Sequence, residues 1–184
     1  KLDSLRTKIV PLKENIVVDF ESQFDLKEGI ILNPKEIEIT GPAAIIDTIN
    51  FLYTKKETFE KLDADLVKTI EIIHPVKTSV KPEKVSLKIP VEKFTEKDIR
   101  IRVQIKNKPD DKNIKLFPSE IELTVLVGLS EFENVEGSNF DVFVDLEKID
   151  ANSENIPVSV RSYIPNVKII RFRPETVEYL IETR

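Results

Sequence analysis

Three acidic residues in the second half of the sequence carry the side chains that hydrolysis or calcium binding requires. Asp141, Asp145 and Glu147 share one face of a predicted strand. A calcium loop needs oxygen ligands at alternate positions and a glycine at its turn, whereas Val142 and Val144 continue a strand here. A hydrolytic carboxylate pair is defined by spatial proximity, so a carboxylate-dependent hydrolase stays open as an alternative.

A basic segment precedes these carboxylates in the chain. Arg100, Arg102, Lys106 and Lys108 lie on one face of a predicted extended segment and could meet phosphate groups of lipid or RNA. The favoured interpretation is a solvated sheet face, with the basic strand across from the acidic one. Opposite charges there contribute about 0.2–1 kcal/mol per pair.

Other motifs for catalysis are incomplete. His74 is the only histidine and stands beside Pro75 at a predicted strand end, where we expect a structural role. The sequence GLSEF at 128–132 lacks the second glycine of a nucleophile elbow. DTI at 47–49 and DSL at 3–5 share only two residues with an aspartic-protease triplet, and no phosphate loop or dinucleotide fingerprint is present. We therefore assign no catalytic, cofactor-binding or metal-ligating residue and predict a protein that is not an enzyme.

The composition favours a β-rich protein. The 184 residues are 40% hydrophobic and 33% charged, with four glycines, and Ile, Val, Leu and Phe dominate the apolar set. The net charge of −5 opposes nucleic acid as the main partner, because phosphate binding needs a basic surface. Zero cysteine excludes disulfides, and no apolar run approaches the ~20 residues of a membrane span. Since the chain starts at Lys1 and has no Met, we expect a removed upstream segment, a signal peptide or an anchor.

The stretch from Leu32 to Tyr53 is the most distinctive in the chain. Pro34 opens an alternating strand, which Gly41-Pro42 is expected to break before a helix over about 42–53. The helix stripe, which we expect to pack on its own sheet, consists of Ile45, Ile46, Ile49 and Leu52.

Alternation and turn residues define the remaining elements. The segment Lys55–Asp65 is polar, with Phe59 and Leu62 as anchors, and Val91–Lys97 is predicted to be a linker. Residues Lys108–Asp111 form a turn signal. Further strands are predicted at Asn15–Phe24, Val67–Ile73, Asp98–Lys106, Phe140–Leu146 and Ile156–Val160.

Four proline-led strands reveal an internal repeat. They begin at Pro34, Pro82, Pro118 and Pro174 and read NPKEIEI, KPEKVSL, FPSEIEL and RPETVEY. The first and third prolines are 84 residues apart, the second and fourth 92, and Ile16 and Ile99 are matched as strand starts. These offsets predict two tandem modules, residues 1–96 and 97–184, the second having lost the helix.

The motif Pro-x-x-Ile-x-Ile-x-Gly-Pro-x-x-x-Ile-Asp-x-Ile, from Pro34 to Ile49, resembles the signature of YbbR-like domains. The Val85 strand and the Pro118 and Pro174 arms extend the resemblance to nearly the whole chain. It implies small, mainly β modules with swapped, pseudo-symmetric strands, similar to domains of the ribosomal protein L25 type. No catalytic residues carry over from the family.

The resemblance also implies a function. YbbR-like modules usually follow one N-terminal transmembrane helix and face the outside of the cytoplasm. Known members regulate a membrane-bound diadenylate cyclase, and so cyclic di-AMP synthesis, through protein contact. We therefore expect a membrane-anchored, extracytoplasmic interaction module whose partner is a membrane protein such as this cyclase. An RNA-binding domain, by analogy with the ribosomal fold, is the alternative beside the hydrolase.

Overall fold

The computed structural model describes residues 4–110, 112–148 and 155–182. The chain divides into two compact units, Lys1–Lys93 and Phe94–Arg184. Both units are mainly β, as the composition predicted. No helix in the described ranges has the length and apolarity to cross a membrane. Asp3 of the DSL motif and Asp111 of the turn signal lie outside the described residues.

Unit 1 is built from short strands and a single helical turn. Its helix, α1, covers Ala43–Ile46. Its strands are β1 (Leu5–Lys13), β2 (Ile16–Phe20), β3 (Phe24–Leu26), β4 (Ile31–Asn33), β5 (Glu36–Pro42), β6 (Leu52–Thr54), β7 (Glu57–Leu62), β8 (Leu66–Ile73), β9 (Ser79–Lys81) and β10 (Lys84–Ile89).

Two proline corners cross over each other in unit 1. The chain runs from β4 through the cis peptide Asn33-Pro34 into β5, and from β9 through the cis peptide Lys81-Pro82 into β10. β4 pairs with β10, and β5 pairs with β9, all antiparallel. We call each proline-linked pair of strands, β4 with β5 and β9 with β10, an arm. Each arm therefore gives one strand to each of the two pairings. This reciprocal exchange is the swapped, pseudo-symmetric arrangement that the resemblance implied.

The other strands of unit 1 complete one large sheet and a small parallel pair. β1 runs antiparallel to β5 and, at its far end, parallel to β6, which continues to β8 and β10. β2 pairs in parallel with β7. The inward residues of the first and second arms, including Ile37, Ile39, Val85 and Leu87, are at most 2% exposed and form the centre of the core.

Unit 2 repeats the plan with different strand lengths. Two 3₁₀ turns, Gly137–Asn139 and Leu146–Lys148, flank one of its strands. The strands are β11 (Val91–Arg102, whose first three residues belong to unit 1 and pair with β3), β12 (Gln104–Lys106), β13 (Asn113–Phe117), β14 (Glu120–Gly128), β15 (Phe140–Asp145), β16 (Asn155–Pro157), β17 (Ser159–Ser162), β18 (Lys168–Arg173) and β19 (Thr176–Glu182).

The proline corners of unit 2 exchange strands in the same way. β13 leads through the cis peptide Phe117-Pro118 into β14, and β18 leads through the cis peptide Arg173-Pro174 into β19. β13 pairs with β19 and β14 with β18. The register of β14 and β18 shifts next to Thr124, which leaves Ile170 as a bulge residue.

Pairing in the sheets gives a different repeat alignment from the one predicted. Val10 of β1 lies opposite Ile37, and Ile101 of β11 lies opposite Ile121. β11 is therefore the counterpart of β1, so the match of Ile16 with Ile99 was wrong. The spacing of the prolines gave the wrong alignment because the segment between the first strand and the first proline is longer in unit 1 than in unit 2.

The helix prediction over 42–53 was too long. The α-helix covers only Ala43–Ile46, and Leu52–Thr54 forms β6. The Thr48 hydroxyl donates to the Ile45 carbonyl at 2.7 Å, which favours a turn over another helical residue. Gly41-Pro42 does not break the strand, because β5 continues to Pro42 opposite Leu5. The stripe prediction holds in part: Ile46, Ile49 and Leu52 are core residues and Ile45 packs against them at half burial.

The predicted linker Val91–Lys97 was also wrong, because it is the first half of β11. Its charge suggested solvent, but Val91 is buried, and its N–H donates to the Asp65 carboxylate at 2.8 Å. Further strands were missed, namely β1, β4, β9, β13 and β18. β7 within Lys55–Asp65 was also missed, although Phe59 and Leu62 anchor it as expected. The predicted strand Asn15–Phe24 divides into β2 and β3 at a turn.

Candidate interaction surface

The short strand β6 turns one aromatic side chain to solvent. Leu52 and Thr54 are 5% and 0% exposed, whereas Tyr53 between them is 46% exposed. Thr54 is held inside because its hydroxyl oxygen accepts the backbone N–H of Asn15 at 3.0 Å. Alternation along a strand then requires Tyr53 to point outward.

Tyr53 belongs to a cluster on the outer face of the sheet, which we name the Tyr53 surface: Lys13, Phe51, Tyr53 and Ile73. Tyr53 lies opposite Ile73 in β8 and beside Lys13 in β1. The Phe51 and Tyr53 rings meet edge to face, with centroids 5.2 Å apart. Phe51 is 39% exposed and Ile73 55% exposed, so the cluster presents apolar groups that the core does not cover.

The turn before Phe51 is held in place by charged side chains of β1. Arg6 forms an ion pair with Asp47, and the Lys8 ammonium donates to the Ile49 carbonyl oxygen at 2.6 Å. These contacts fix the path of the chain into β6. The position of Phe51 thus follows from β1 as well as from its own segment.

The electrostatics of the Tyr53 surface are those of an apolar site with a cationic border. The Lys13 ammonium lies 4.1 Å from the Phe51 ring centroid, a cation–π geometry. In the next row of the sheet Lys55 pairs with Glu71 at 3.4 Å. Aromatic side chains are enriched in protein interfaces, and exposed apolar clusters often mark interaction sites.

Part of the basic segment meets the acidic strand, as the favoured interpretation predicted, but the contact is not on a solvated face. β12 pairs in parallel with β15, and the Lys106 ammonium lies 2.6 Å from the Asp141 carboxylate. The same ammonium is 3.5 Å from the Phe143 ring centroid. Asp141 is only 8% exposed, so its carboxylate is occupied by a structural contact.

Asp145 and Glu147 do not join Asp141 in one carboxylate site. The Asn107 side chain donates to the Asp145 carboxylate at 2.7 Å, and Lys148 lies 3.8 Å away. The Asn107 hydrogen bond, aided by the Glu147 backbone N–H and the Lys148 charge, holds the pKa of Asp145 below its usual value. Glu147 lies in the following 3₁₀ turn.

The basic residues do not share one face as predicted. β11 ends at Arg102 and a separate strand, β12, begins at Gln104. Arg100 and Arg102 lie opposite Glu122 and Glu120 of β14. Lys106 lies opposite Asp145 in another sheet, so the break at Val103 divides the set.

The remaining motif residues occupy turns. His74 Nδ1 lies 3.0 Å from the Thr78 hydroxyl, which donates to the Pro75 carbonyl at 2.6 Å. This contact agrees with the structural role expected for the histidine. In the GLSEF segment, the Phe132 carbonyl accepts the Lys97 ammonium, which also lies 4.6 Å from the Phe132 ring centroid. Across the described ranges, no group of three or more acidic or histidine side chains is placed to hold a metal ion.

The sequence analysis did not single out Phe51, and it placed Tyr53 at the end of the helix predicted over residues 42–53. The signal was present in the order Phe-Leu-Tyr-Thr, because two aromatic residues alternate with a leucine and a threonine. A strand with Leu52 inward necessarily exposes both rings on the other side. The helical spacing of the preceding isoleucines concealed this alternation.

Comparison with known proteins gives similarities at the level of structure. No family model and no curated protein matches the chain. A YbbR-like protein from Streptococcus pneumoniae TIGR4, known from a crystal structure, is 12% identical with a TM-score of 0.38, over 98% of this chain and 96% of its own. The solution structure of SuR18C from Streptococcus thermophilus is 20% identical with a TM-score of 0.40, over 48% of this chain and 86% of its own.

The fold itself defines a class, a tandem pair of β units in which two proline-led arms exchange strands. Within that class the chain resembles YbbR-like proteins, as the motif from Pro34 to Ile49 indicated, and the match to a YbbR-like protein extends over 98% of the chain.

Proposed function

We propose that the protein is a non-enzymatic, extracytoplasmic interaction module of a membrane-anchored YbbR-like protein. Its partner is a membrane-bound diadenylate cyclase, whose synthesis of cyclic di-AMP it regulates by direct contact. The resemblance from Pro34 to Ile49 supports the choice of partner and of cell compartment. The Tyr53 surface is the observation that supports action through direct contact with a partner protein.

The Tyr53 surface has the properties of a binding site. Phe51, Tyr53 and Ile73 are held in fixed positions on a sheet but remain between 39% and 55% exposed. Rigid aromatic side chains lose little conformational entropy on binding, and for this reason they are frequent among the residues that dominate interface energies. Lys13 adds one positive charge that would select a partner surface with a carboxylate nearby.

A role without catalysis is supported by the contacts of the polar residues that hydrolysis would use. Asp141 is buried against Lys106, and Asp145 is hydrogen-bonded by Asn107. His74, the only histidine, contacts Thr78 in an exposed turn of unit 1. These groups stabilise turns and strand pairings in the structure.

The proposal is tested by affinity purification of the full-length gene product from detergent-solubilised membranes, followed by mass spectrometry. The wild type is compared with Tyr53→Ser, and with Tyr163→Ser, a matched control because Tyr163 is 68% exposed in unit 2. We expect stoichiometric cyclase with the wild type and with Tyr163→Ser, and strongly reduced cyclase with Tyr53→Ser.

Each other result contradicts a defined part of the proposal. Recovery of cyclase with all three proteins would show that the Tyr53 surface is not the contact. Recovery of other envelope proteins would remove the cyclase as partner. Recovery of the protein from the soluble cytosol would contradict the membrane anchor.

A further inference from the structure

The two units share one backbone hydrogen bond at their proline corners. In unit 1 the Leu12 N–H donates to the Lys35 carbonyl oxygen at 2.8 Å. In unit 2 the Val103 N–H donates to the Ser119 carbonyl oxygen at 2.9 Å. Each acceptor is the residue directly after the first cis proline of its unit. Leu12 and Val103 are therefore equivalent positions, which agrees with the alignment of β1 with β11.

The residue after each of these donors lies beside an aromatic residue. Lys13 is paired in parallel with Tyr53, and Gln104 is paired in the same way with Phe143. Tyr53 and Phe143 are therefore equivalent. The residues on either side of Phe143 belong to the core, so its ring, like that of Tyr53, lies on the outer face of its sheet. Their exposure differs greatly, however, since Tyr53 is 46% and Phe143 only 5% exposed.

Two cations of unit 2 cover the Phe143 ring. The Lys106 ammonium lies 3.5 Å from the ring centroid, and the Arg161 guanidinium carbon lies 5.3 Å from it. The Lys106 ammonium also contacts the Asp141 carboxylate at 2.6 Å. The ring is thus part of a cluster in which cations lie over an aromatic group and a carboxylate balances their charge.

Unit 1 has the aromatic ring and a carboxylate at this place without the covering cation. Asn15 occupies the position of the first of these cations, three residues after the shared donor, and no described residue places a cation over the Tyr53 ring. Glu71 lies on the same face, two residues along β8 from the residue opposite Tyr53. Such diagonal neighbours are within reach of one long side chain. Glu71 pairs with Lys55 at 3.4 Å, and an exposed ion pair of this kind contributes little to stability.

We propose that the partner of the Tyr53 surface inserts an arginine side chain, which stacks on the Tyr53 ring and pairs with Glu71. The guanidinium takes the place in unit 1 that Lys106 and Arg161 take in unit 2. It is planar, stacks on aromatic faces and pairs with carboxylates, so it suits both groups. Glu71 offsets the repulsion from Lys13, as a carboxylate does in the cluster of unit 2. This inference rests on the proposed function, because it names the side chain that the Tyr53 surface recognises.

The test titrates the full 184-residue chain with two tripeptides with blocked ends, valine-arginine-valine and valine-citrulline-valine. Citrulline has the shape of arginine but carries no charge. NMR shifts of the tyrosine ring protons locate the site and give the dissociation constant. We expect saturable shifts at the Tyr53 ring and binding of the arginine peptide about fivefold tighter, the ratio that corresponds to roughly 1 kcal/mol.

Three substitutions test the parts of the site separately. Tyr53→Ser should abolish the preference for arginine, and Glu71→Gln should reduce it. Asn15→Lys introduces the cation of unit 2 while it keeps the ring, so it should weaken arginine binding by covering Tyr53. Glu38→Gln is the matched control, because Glu38 is an exposed carboxylate on the outer face of the same sheet, in β5. It should leave binding unchanged.

Equal binding of the two peptides, no binding of either, or shifts centred on another tyrosine would overturn the inference. An equal loss of arginine binding in Glu71→Gln and Glu38→Gln would also overturn it, because the effect would then be that of net charge alone. The titration contains no cyclase. Its failure would therefore leave the result of the membrane purification standing, and failure to recover the cyclase would leave the arginine site standing.

Discussion

The ammonium nitrogen of Lys13 lies 4.1 Å from the centroid of the Phe51 ring, on the outer face of the unit 1 sheet. The contact places a positive charge over an aromatic group that is not part of the core. It makes the Tyr53 surface amphipathic. Its strength can be measured by a double-mutant cycle on Lys13 and Phe51.

Replacing Lys13 and Phe51 by alanine, singly and together, should reveal a coupling free energy of about 0.5–1 kcal/mol, the range for exposed cation–π pairs. Unfolding in urea measures the three variants against the wild type. The coupling should persist in salt better than that of an exposed ion pair such as Lys55 and Glu71. Simple additivity of the two single effects would contradict the contact.

Gly41→Ala should destabilise unit 1. A Cβ at Gly41 would lie 2.8 Å from Thr78 Cγ2 and 3.1 Å from the Lys77 carbonyl oxygen, so the Thr78 side chain must shift and the backbone at Lys77 must give slightly. The expected loss in the free energy of unfolding is about 1–3 kcal/mol, as in other overpacked sites.

Gly29→Ala is the internal control for that substitution. A Cβ at Gly29 would have no atom within 4 Å. We expect a neutral effect or a gain of up to about 1 kcal/mol from the less flexible unfolded chain. Equal losses at Gly29 and Gly41 would show that close approach to Thr78 is not the cause.

Asp141→Asn should destabilise unit 2, because Lys106 loses its charge partner beside a largely buried position. Loss of a hydrogen bond to a charged group corresponds to about 1–3 kcal/mol. The control is Glu147→Gln, in an exposed 3₁₀ turn, which should change the midpoint of thermal unfolding very little. Unchanged stability of Asp141→Asn would contradict a structural role for the carboxylate and revive the hydrolase alternative.

The lowered pKa of Asp145 predicts that the stability of unit 2 decreases at acidic pH. Its pKa is lowered in the folded state, chiefly by the Asn107 hydrogen bond, so its contribution to stability is complete at neutral pH. That contribution is lost as the pH falls below about 3.9, the ordinary pKa of an aspartate, toward the lower folded value. Asn107→Ala should move the pKa of Asp145 upward in a carboxyl-detected NMR titration. An unchanged titration would show that the Asn107 hydrogen bond is not the cause.

The strands were predicted most accurately from the sequence where the alternation of apolar and polar residues agrees with their burial. The strand after Pro34 turns Ile37 and Ile39 toward the core, and the strand after Pro118 does the same with Ile121 and Leu123. All four side chains are at most 2% exposed. The prolines indicated where these strands begin, because they are turn residues, and their regular spacing also indicated the repeat.

Prediction failed where tertiary pairing overrides local composition. The charged segment Val91–Lys97 becomes a strand because β3 and β14 pair with successive parts of it. The apolar residues from Ile45 to Leu52 have helical spacing, but β6 pairs with β1 and β8, and the helix ends after one turn. The Tyr53 surface was missed because these errors concealed which side of β6 is exposed.

The crossing of the proline arms gives unit 1 an internal pseudo-two-fold symmetry. In unit 1, Asn33 lies opposite Ser86 and Lys81 lies opposite Glu38, so the second arm meets the first as the first meets the second. This is the pattern by which two identical molecules meet across a two-fold axis. Unit 1 therefore contains, within one polypeptide, the reciprocal strand pairing of a symmetric strand-exchanged dimer.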